Sequence, residues 1–231
     1  MSNFETLKLS RTNCYLLKCR KGYCLIDCGS SQDKDLLIEK LKDLNININD
    51  ISYLILTHHH NDHCGLLDFL VSENRDLKII MSRKCSEFLK DGKHHKHANE
   101  RYSNRILKFI MGLYIRFSQN WSESFVPFIS RESDYLFETD NDTLLPELGI
   151  NGKLLLTPGH TEDSLSIIVG GTAFVGDAAR NILNFTGTPF QPILLYNLSV
   201  CTKSWEKLAA SGARTLCPAH GSPFYVNKLN F

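Results

Sequence analysis

The chain has 231 residues, 42% of them hydrophobic and 22% charged, with a formal net charge of +1. That length can bury a large core as one domain, and the balanced charge gives no general basis for nucleic-acid binding. No apolar run approaches the roughly 20 residues of a membrane-spanning helix. The first residues, Met1-Ser2-Asn3-Phe4, lack a secretory signal's charged start and apolar core, so a cytoplasmic location is expected.

Residues 12–18 and 23–28 run apolar or alternate around the turn Arg20-Lys21-Gly22, which predicts a β-hairpin closed by Asp27. Leu37, Leu41 and Leu44 carry helical spacing, and residues 51–56 read as a buried strand. A short helix is expected from Gly65, a strand over 77–81, and a helix through Phe88 and Leu89 with Ser82 as its N-cap. This alternation argues for an α/β sandwich. From about Gly92 to Trp121 the chain is basic and then amphipathic, with Ile106, Phe109, Ile110, Leu113, Tyr114 and Phe117 on one apolar stripe. Strands return at 153–157, 165–169 and 172–176, followed by a helix over 202–210 and a strand ending near Cys217. The expected organisation is a single domain over 1–231 with a helical insertion at about 92–121. The eight cysteines match no zinc-knuckle or redox spacing and read as free thiols packed in a reducing compartment.

The densest chemistry follows the strand 51–56, where Thr57-His58-His59-His60-Asn61-Asp62-His63 places four metal-capable side chains within six positions of an H-x-H-x-D-H run. A loop at a strand end lets such side chains converge on one point. Three more candidates also follow strands and adjoin Gly or Pro: His160 in Thr157-Pro158-Gly159-His160, Asp177 in Gly176-Asp177, and His220 in Pro218-Ala219-His220-Gly221. Exits of adjacent strands in one sheet would bring all seven to one rim. Neutral imidazoles suit zinc, and a carboxylate can bridge two ions while the pair lowers the pKa of a shared water toward about 7. His59 occupies an x position of the motif, Cys64 is not expected as a ligand, and His94, His95 and His97 read as a solvated cationic turn or an extra metal or anion patch.

These four motifs, in this order, resemble the metallo-β-lactamase-fold hydrolases, nearest in ligand set to the N-acyl homoserine lactone lactonase and glyoxalase II-like branch. The resemblance implies an αββα sandwich with metals at one edge. It assigns His58, His60 and His160 to a first ion, Asp62, His63 and His220 to a second, and Asp177 to the bridge, with Asp27 supporting the metal loop. Two zinc ions are implied, with iron or manganese as cellular substitutes.

Departures from family branches narrow the substrate. Asp177 and the absence of a signal disfavour antibiotic hydrolysis. The lactonases place a tyrosine three residues after the bridging aspartate; Arg180 stands there, as a candidate oxyanion donor or anchor for an anionic substrate. The expected activity is attack by a metal-bridging hydroxide on the carbonyl of a small ester, thioester or lactone, with Asp62, Asp177 and Arg180 in the catalytic machinery. Two alternatives share the motif. One is a phosphodiesterase or nuclease, for which Lys90, Lys93, Lys96, Arg101 and Arg105 offer a basic stretch. The other is a mononuclear-iron enzyme like persulfide dioxygenases. The expected partner is a small-molecule substrate, with neither nucleic acid nor membrane. The helical insertion is a roof over the metal rim, a homodimer contact, or a segment docked on the sandwich.

Overall fold

In the computed structural model, which describes residues 4–118 and 122–231, a six-stranded sheet comes first. It begins with β1 (Phe4–Lys8), β2 (Asn13–Cys19), β3 (Gly22–Ile26), β4 (Ile51–Ile55) and β5 (Lys78–Ser82). Helices α1 (Lys34–Asp43), α2 (Asn61–Cys64), α3 (Leu67–Glu73) and α4 (Arg83–Leu89) punctuate this half. Next come β6 (Arg101–Tyr102) and α5 (Arg105–Phe117), and β7 (Tyr135–Phe137) closes the sheet in the order β1-β2-β3-β4-β5-β7. Then come α6 (Leu144–Glu147), β8 (Gly152–Leu156), β9 (Leu165–Val169), β10 (Thr172–Gly176), β11 (Leu194–Leu195), α7 (Leu198–Ala210), β12 (Thr215–Pro218) and β13 (Phe224–Tyr225). A second sheet runs β13-β12-β10-β9-β8, and β11 pairs with β6 as a separate ribbon.

Side chains that alternate along the strands separate the layers. Leu16, Leu25, Leu54 and Ile79 pack outward on Leu37, Leu41, Leu67 and Leu70 of α1 and α3. Their neighbours Tyr15, Leu17, Ile26, Ile55 and Ile80 face the second sheet, meeting Leu154, Ile167 and Phe174. The outer face of that sheet, with Ile168, Ala173 and Leu216, is covered by Cys201, Trp205 and Leu208 of α7. Helix, sheet, sheet, helix is the αββα order expected. All eight cysteines are buried free thiols distributed through the three apolar clusters between these layers.

Other expectations meet the structure element by element. The hairpin, the strands flanking the motifs and the helices at 34–43 and 198–210 lie close to where they were expected, and Ser82 Oγ accepts from Cys85 N as the N-cap of α4. Strands β1 and β7 and the β6–β11 ribbon were not expected. Their segments are short and mix polar with apolar residues, so neither period stands out. The strands bearing candidate ligands do not share one sheet: β4 belongs to the first, and β8, β10 and β12 to the second. β10 pairs in parallel with β12, and β8 and β10 both run antiparallel to β9, so three exits reach one edge of the second sheet. Close apposition across the sandwich requires a glycine at the end of β10. Gly176 has φ +50°, and a Cβ there would lie 2.5 Å from Thr57 Oγ1.

The stripe on α5 is also divided. Leu107 is fully buried, and Ile110, Met111 and the partly exposed Tyr114 line a cavity, whereas Ile106, Phe109, Leu113 and Phe117 are exposed away from it. Residues 119–121, at the expected end of the insertion, lie outside the described residues. Among the described residues no helix is long and apolar enough to cross a membrane.

Candidate metal centre

The turn after β3 anchors the histidine loop. Asp27 adopts φ +55°, an uncommon conformation for a residue with a side chain. Its Oδ1 accepts from Thr57 N (2.8 Å), while Oδ2 meets Thr57 Oγ1 and His63 Nδ1, each at 2.8 Å. Thr57 Oγ1 in turn lies 3.1 Å from His58 Nδ1. On the second sheet, His160 Nδ1 donates to Leu194 O (2.7 Å) and His220 Nδ1 to Arg11 O (2.9 Å). A carbonyl can only accept, so in the neutral rings Nδ1 holds the proton and Nε2 is bare. In His63 the carboxylate partner has the same effect. His60 is turned the other way, with Nδ1 3.2 Å from His160 Nε2.

The bare atoms gather in three overlapping groups, His58–His60–His160, His58–His63–Asp177 and Asp62–His63–His220, each with its donor atoms within 4.8 Å of one another. All seven sequence candidates are included. Asp177 Oδ1 lies 3.3 Å from His220 Nε2 and 3.6 Å from His63 Nε2, and its Oδ2 lies 3.6 Å from His160 Nε2. Asp62 Oδ2 is 3.3 Å from His220 Nε2 and 3.8 Å from His63 Nε2. Donors placed about 2.0–2.2 Å from a tetrahedral ion stand roughly 3.4 Å apart, so this spacing suits metal ligation. His58 Nε2, His63 Nε2 and Asp177 Oδ1 are buried without a hydrogen-bond partner, among five imidazoles and two carboxylates. Orphaned buried donor atoms of this kind fit divalent metal ions.

Charge is steeply graded across the cluster. Burial, reinforced by adjacent imidazoles, holds His58 and His60 well below the usual histidine range. Burial opposes charge on His63 too, but Asp27, Asp62 and Asp177 outweigh it and raise the ring to about 9. His220 is raised against its own burial by Asp177 and Asp62. Asp177 is pulled down to about 2, where His220 and His63 overcome its burial, and Asp62 is lowered chiefly by His63 and His220 against the same penalty.

Three neighbours escape sequence reasoning. His59, at its x position, is fully buried and points away from the cluster: its backbone N–H and Nδ1 meet Asp163, and its Nε2 accepts from His95 N. Asp163 stands three residues beyond His160 without any motif of its own. His94 is no solvated turn residue. It stacks on His60 at 4.2 Å between ring centroids, its Nε2 accepts from Asn61 N at 2.7 Å, and burial lowers it to about 4.

Arg180 is placed differently from the substrate-facing position expected of it. It is 1% exposed, and it donates to Ile182 O and, at 3.0 Å, to Thr188 O. It thereby pins the 182–188 loop, and burial lowers it to about 10. That loop contributes Ile182 and Leu183 to a cavity of about 340 Å³ over the cluster. Ile110, Met111, Tyr114, Ile193 and Leu194 extend the apolar wall; Arg11, Lys96, Glu100 and Glu123 supply polar groups, and His60, Asp62, His160, Asp177 and His220 form the floor. A larger groove of about 930 Å³ lies at the opposite end of β10, without a histidine or a metal-binding cluster.

Known proteins agree with this architecture. Probable metallo-hydrolase YqjP of Bacillus subtilis is 23% identical over 229 residues, spanning 90% of this chain and 66% of that protein, just under two thirds of its length. The solved structure of metallo-beta-lactamase family protein TTHA1429 from Thermus thermophilus superposes with a TM-score of 0.68 at 20% identity, covering 97% of this chain and 75% of that one. For metallo-beta-lactamase MIM-1 from Novosphingobium pentaromativorans the TM-score is 0.67 at 16% identity, covering 95% and 74%. The sequence profile of the metallo-beta-lactamase superfamily matches residues 7–220, nearly the whole chain. With the fold, the four motifs and the convergent donor set in agreement, the chain belongs to the metallo-β-lactamase superfamily.

Proposed function

We propose that this protein is a dinuclear zinc hydrolase of a small carboxylic ester, thioester or lactone. The observation that carries the reading is the split of the Asp177 carboxylate, with Oδ1 toward His63 and His220 and Oδ2 toward His160. His58, His60 and His160 would hold one ion and Asp62, His63 and His220 the other, with Asp177 shared. When bound, such ions supply Lewis acidity and lower the pKa of water near neutrality.

The remaining work falls to the chain itself. The hydrogen bonds from Nδ1 of His58, His63, His160 and His220 fix each ring before ligation, so little ordering is left for the loaded state. Asp62 directs Oδ2 toward His63, His220 and Thr12, which fixes its carboxylate at the floor of the cavity as a ligand to the second ion. Ile110, Met111, Ile182 and Leu183 offer an apolar wall to an acyl group and exclude water from it. Phosphodiester cleavage has less support. Of the basic residues in the insertion only Lys96 reaches the cavity, and it is paired with Glu123 at 2.7 Å.

The test combines elemental analysis of metal-loaded protein with a panel of a lactone, a thioester, a p-nitrophenyl ester and bis(p-nitrophenyl) phosphate. Two zinc ions per chain with turnover of acyl substrates is the expected result. One ion per chain, or turnover of the phosphodiester alone, refutes the reading.

A further inference from the structure

The outward side of α5 combines two features that rarely coexist on a surface without a partner. Ile106, Phe109, Leu113 and Phe117 recur at i, i+3, i+7 and i+11 and face solvent, with Phe109 67% and Phe117 76% exposed. Alongside them, Arg105, Lys108 and Arg116 share a second exposed stripe. The helix contains no acidic residue, and among the described residues none of these three cations makes an ion pair. Phe185, 79% exposed, adjoins the N-terminus of the helix, because Asn104 Nδ2 donates to Thr186 O (3.0 Å) and Thr188 Oγ1 (2.8 Å).

We propose that this face of α5, with Phe185, docks the protein on an anionic lipid surface. Aromatic and aliphatic side chains flanked by unpaired cations match the headgroup–acyl boundary, where the apolar groups leave water and the cations meet lipid phosphates. A second copy of the chain fits less well. Two such helices packed face to face would bring Arg105, Lys108 and Arg116 of each against those of the other, with no acidic residue on either helix to offset them. The expectation of no membrane rests on the lack of a spanning segment, and surface docking requires none. The opposite side of the same helix supplies Ile110, Met111 and Tyr114 to the cavity, so the docked face and the metal cluster lie on two sides of one helix. The docking does not depend on which bond the metal centre cleaves.

The test is co-sedimentation of the full chain with phosphatidylcholine vesicles, with and without phosphatidylglycerol, at low and high salt. Light scattering of the protein alone is measured alongside. Binding only to the phosphatidylglycerol vesicles, weakened by salt, is expected. F109S/F117S should lower partitioning by about tenfold or more, and R105Q/R116Q should remove the preference for the anionic vesicles. These side chains are exposed, so unchanged circular dichroism and metal content identify a surface effect. Absence of binding, or equal binding to both vesicles without salt dependence, overturns the proposal. So does a dimer that F109S/F117S converts to monomer without any vesicle binding.

Discussion

Asp163 grips His59 twice: one carboxylate oxygen accepts the His59 backbone N–H at 2.9 Å, and both lie 3.0 Å from its ring Nδ1. The clasp joins the loop after β4 to the segment before β9, and so joins the two sheets directly behind the metal cluster. His58 and His60, on either side of His59, are thereby turned toward the candidate ligands. Asp163→Ala leaves the buried N–H and imidazole of His59 without their partner. A loss of about 1–3 kcal/mol in unfolding free energy is expected, measured by chemical denaturation of metal-free protein. An unchanged midpoint would show that the clasp contributes nothing.

Asp27 offers a cleaner separation of folding from ligation. Asparagine tolerates the φ of +55° at this position, so Asp27→Asn keeps the backbone while weakening the hold on His63 Nδ1. Under the proposed dinuclear reading, affinity for the ion near His63 and His220 should fall about 10- to 100-fold, with the other ion retained. Chelator competition followed by elemental analysis would reveal this as an intermediate holding one ion per chain.

The raised pKa of His63, about 9, has a consequence for loading. At neutral pH the metal-free ring is protonated, and ligation must displace that proton. Calorimetric titrations with zinc in two buffers of different ionisation enthalpy should therefore differ in apparent heat. The sign for stability follows from the direction of the shift. A histidine raised above its unfolded value of about 6.5 stabilises the metal-free fold below that pH, and the contribution disappears as pH rises through about 9. His94, lowered to about 4, acts at the other end, costing stability as pH falls from about 6.5 toward 4. Metal-free protein should thus unfold most readily at both extremes of that span; a thermal midpoint flat from pH 5 to pH 9 would contradict these assignments.

Arg180 yields a prediction about binding more than chemistry. Arg180→Lys keeps a charge but loses the planar fork that reaches Ile182 O and Thr188 O together. The loop bearing Ile182 and Leu183 should loosen, raising KM several-fold with metal content intact. A fall in kcat at constant KM would instead place the guanidinium in the reacting centre.

Much of this architecture was legible because its signals are local. The strand 51–56 and the turns at His160, Asp177 and His220 each combine a β-rich run with a polar exit, and all seven candidates do converge. Non-local choices were not legible. Nothing around β4 reveals that it lies in a different sheet from β8, β10 and β12, since a buried strand looks alike in either. Asp163 is 104 positions from His59 and carries no motif. The stripe on α5 was readable as a stripe, but which part would face the cavity depends on the rotation of the helix, set by Leu107 seating in the body. Arg180 shows the same limit, because the direction of a long side chain follows from carbonyls several residues away.

The donor set straddles the sandwich: His58, His60, Asp62 and His63 arrive from one sheet, and His160, Asp177 and His220 from the other. Neither sheet owns a complete coordination sphere. Under the proposed reading, then, the ions work as a rivet between two halves that otherwise adhere through Tyr15, Ile55, Ile167, Phe174 and their neighbours. Affinity for metal and cohesion of the two sheets become a single equilibrium approached from opposite ends, so a substitution deep in that interface, far from any ligand, should register as a change in metal affinity.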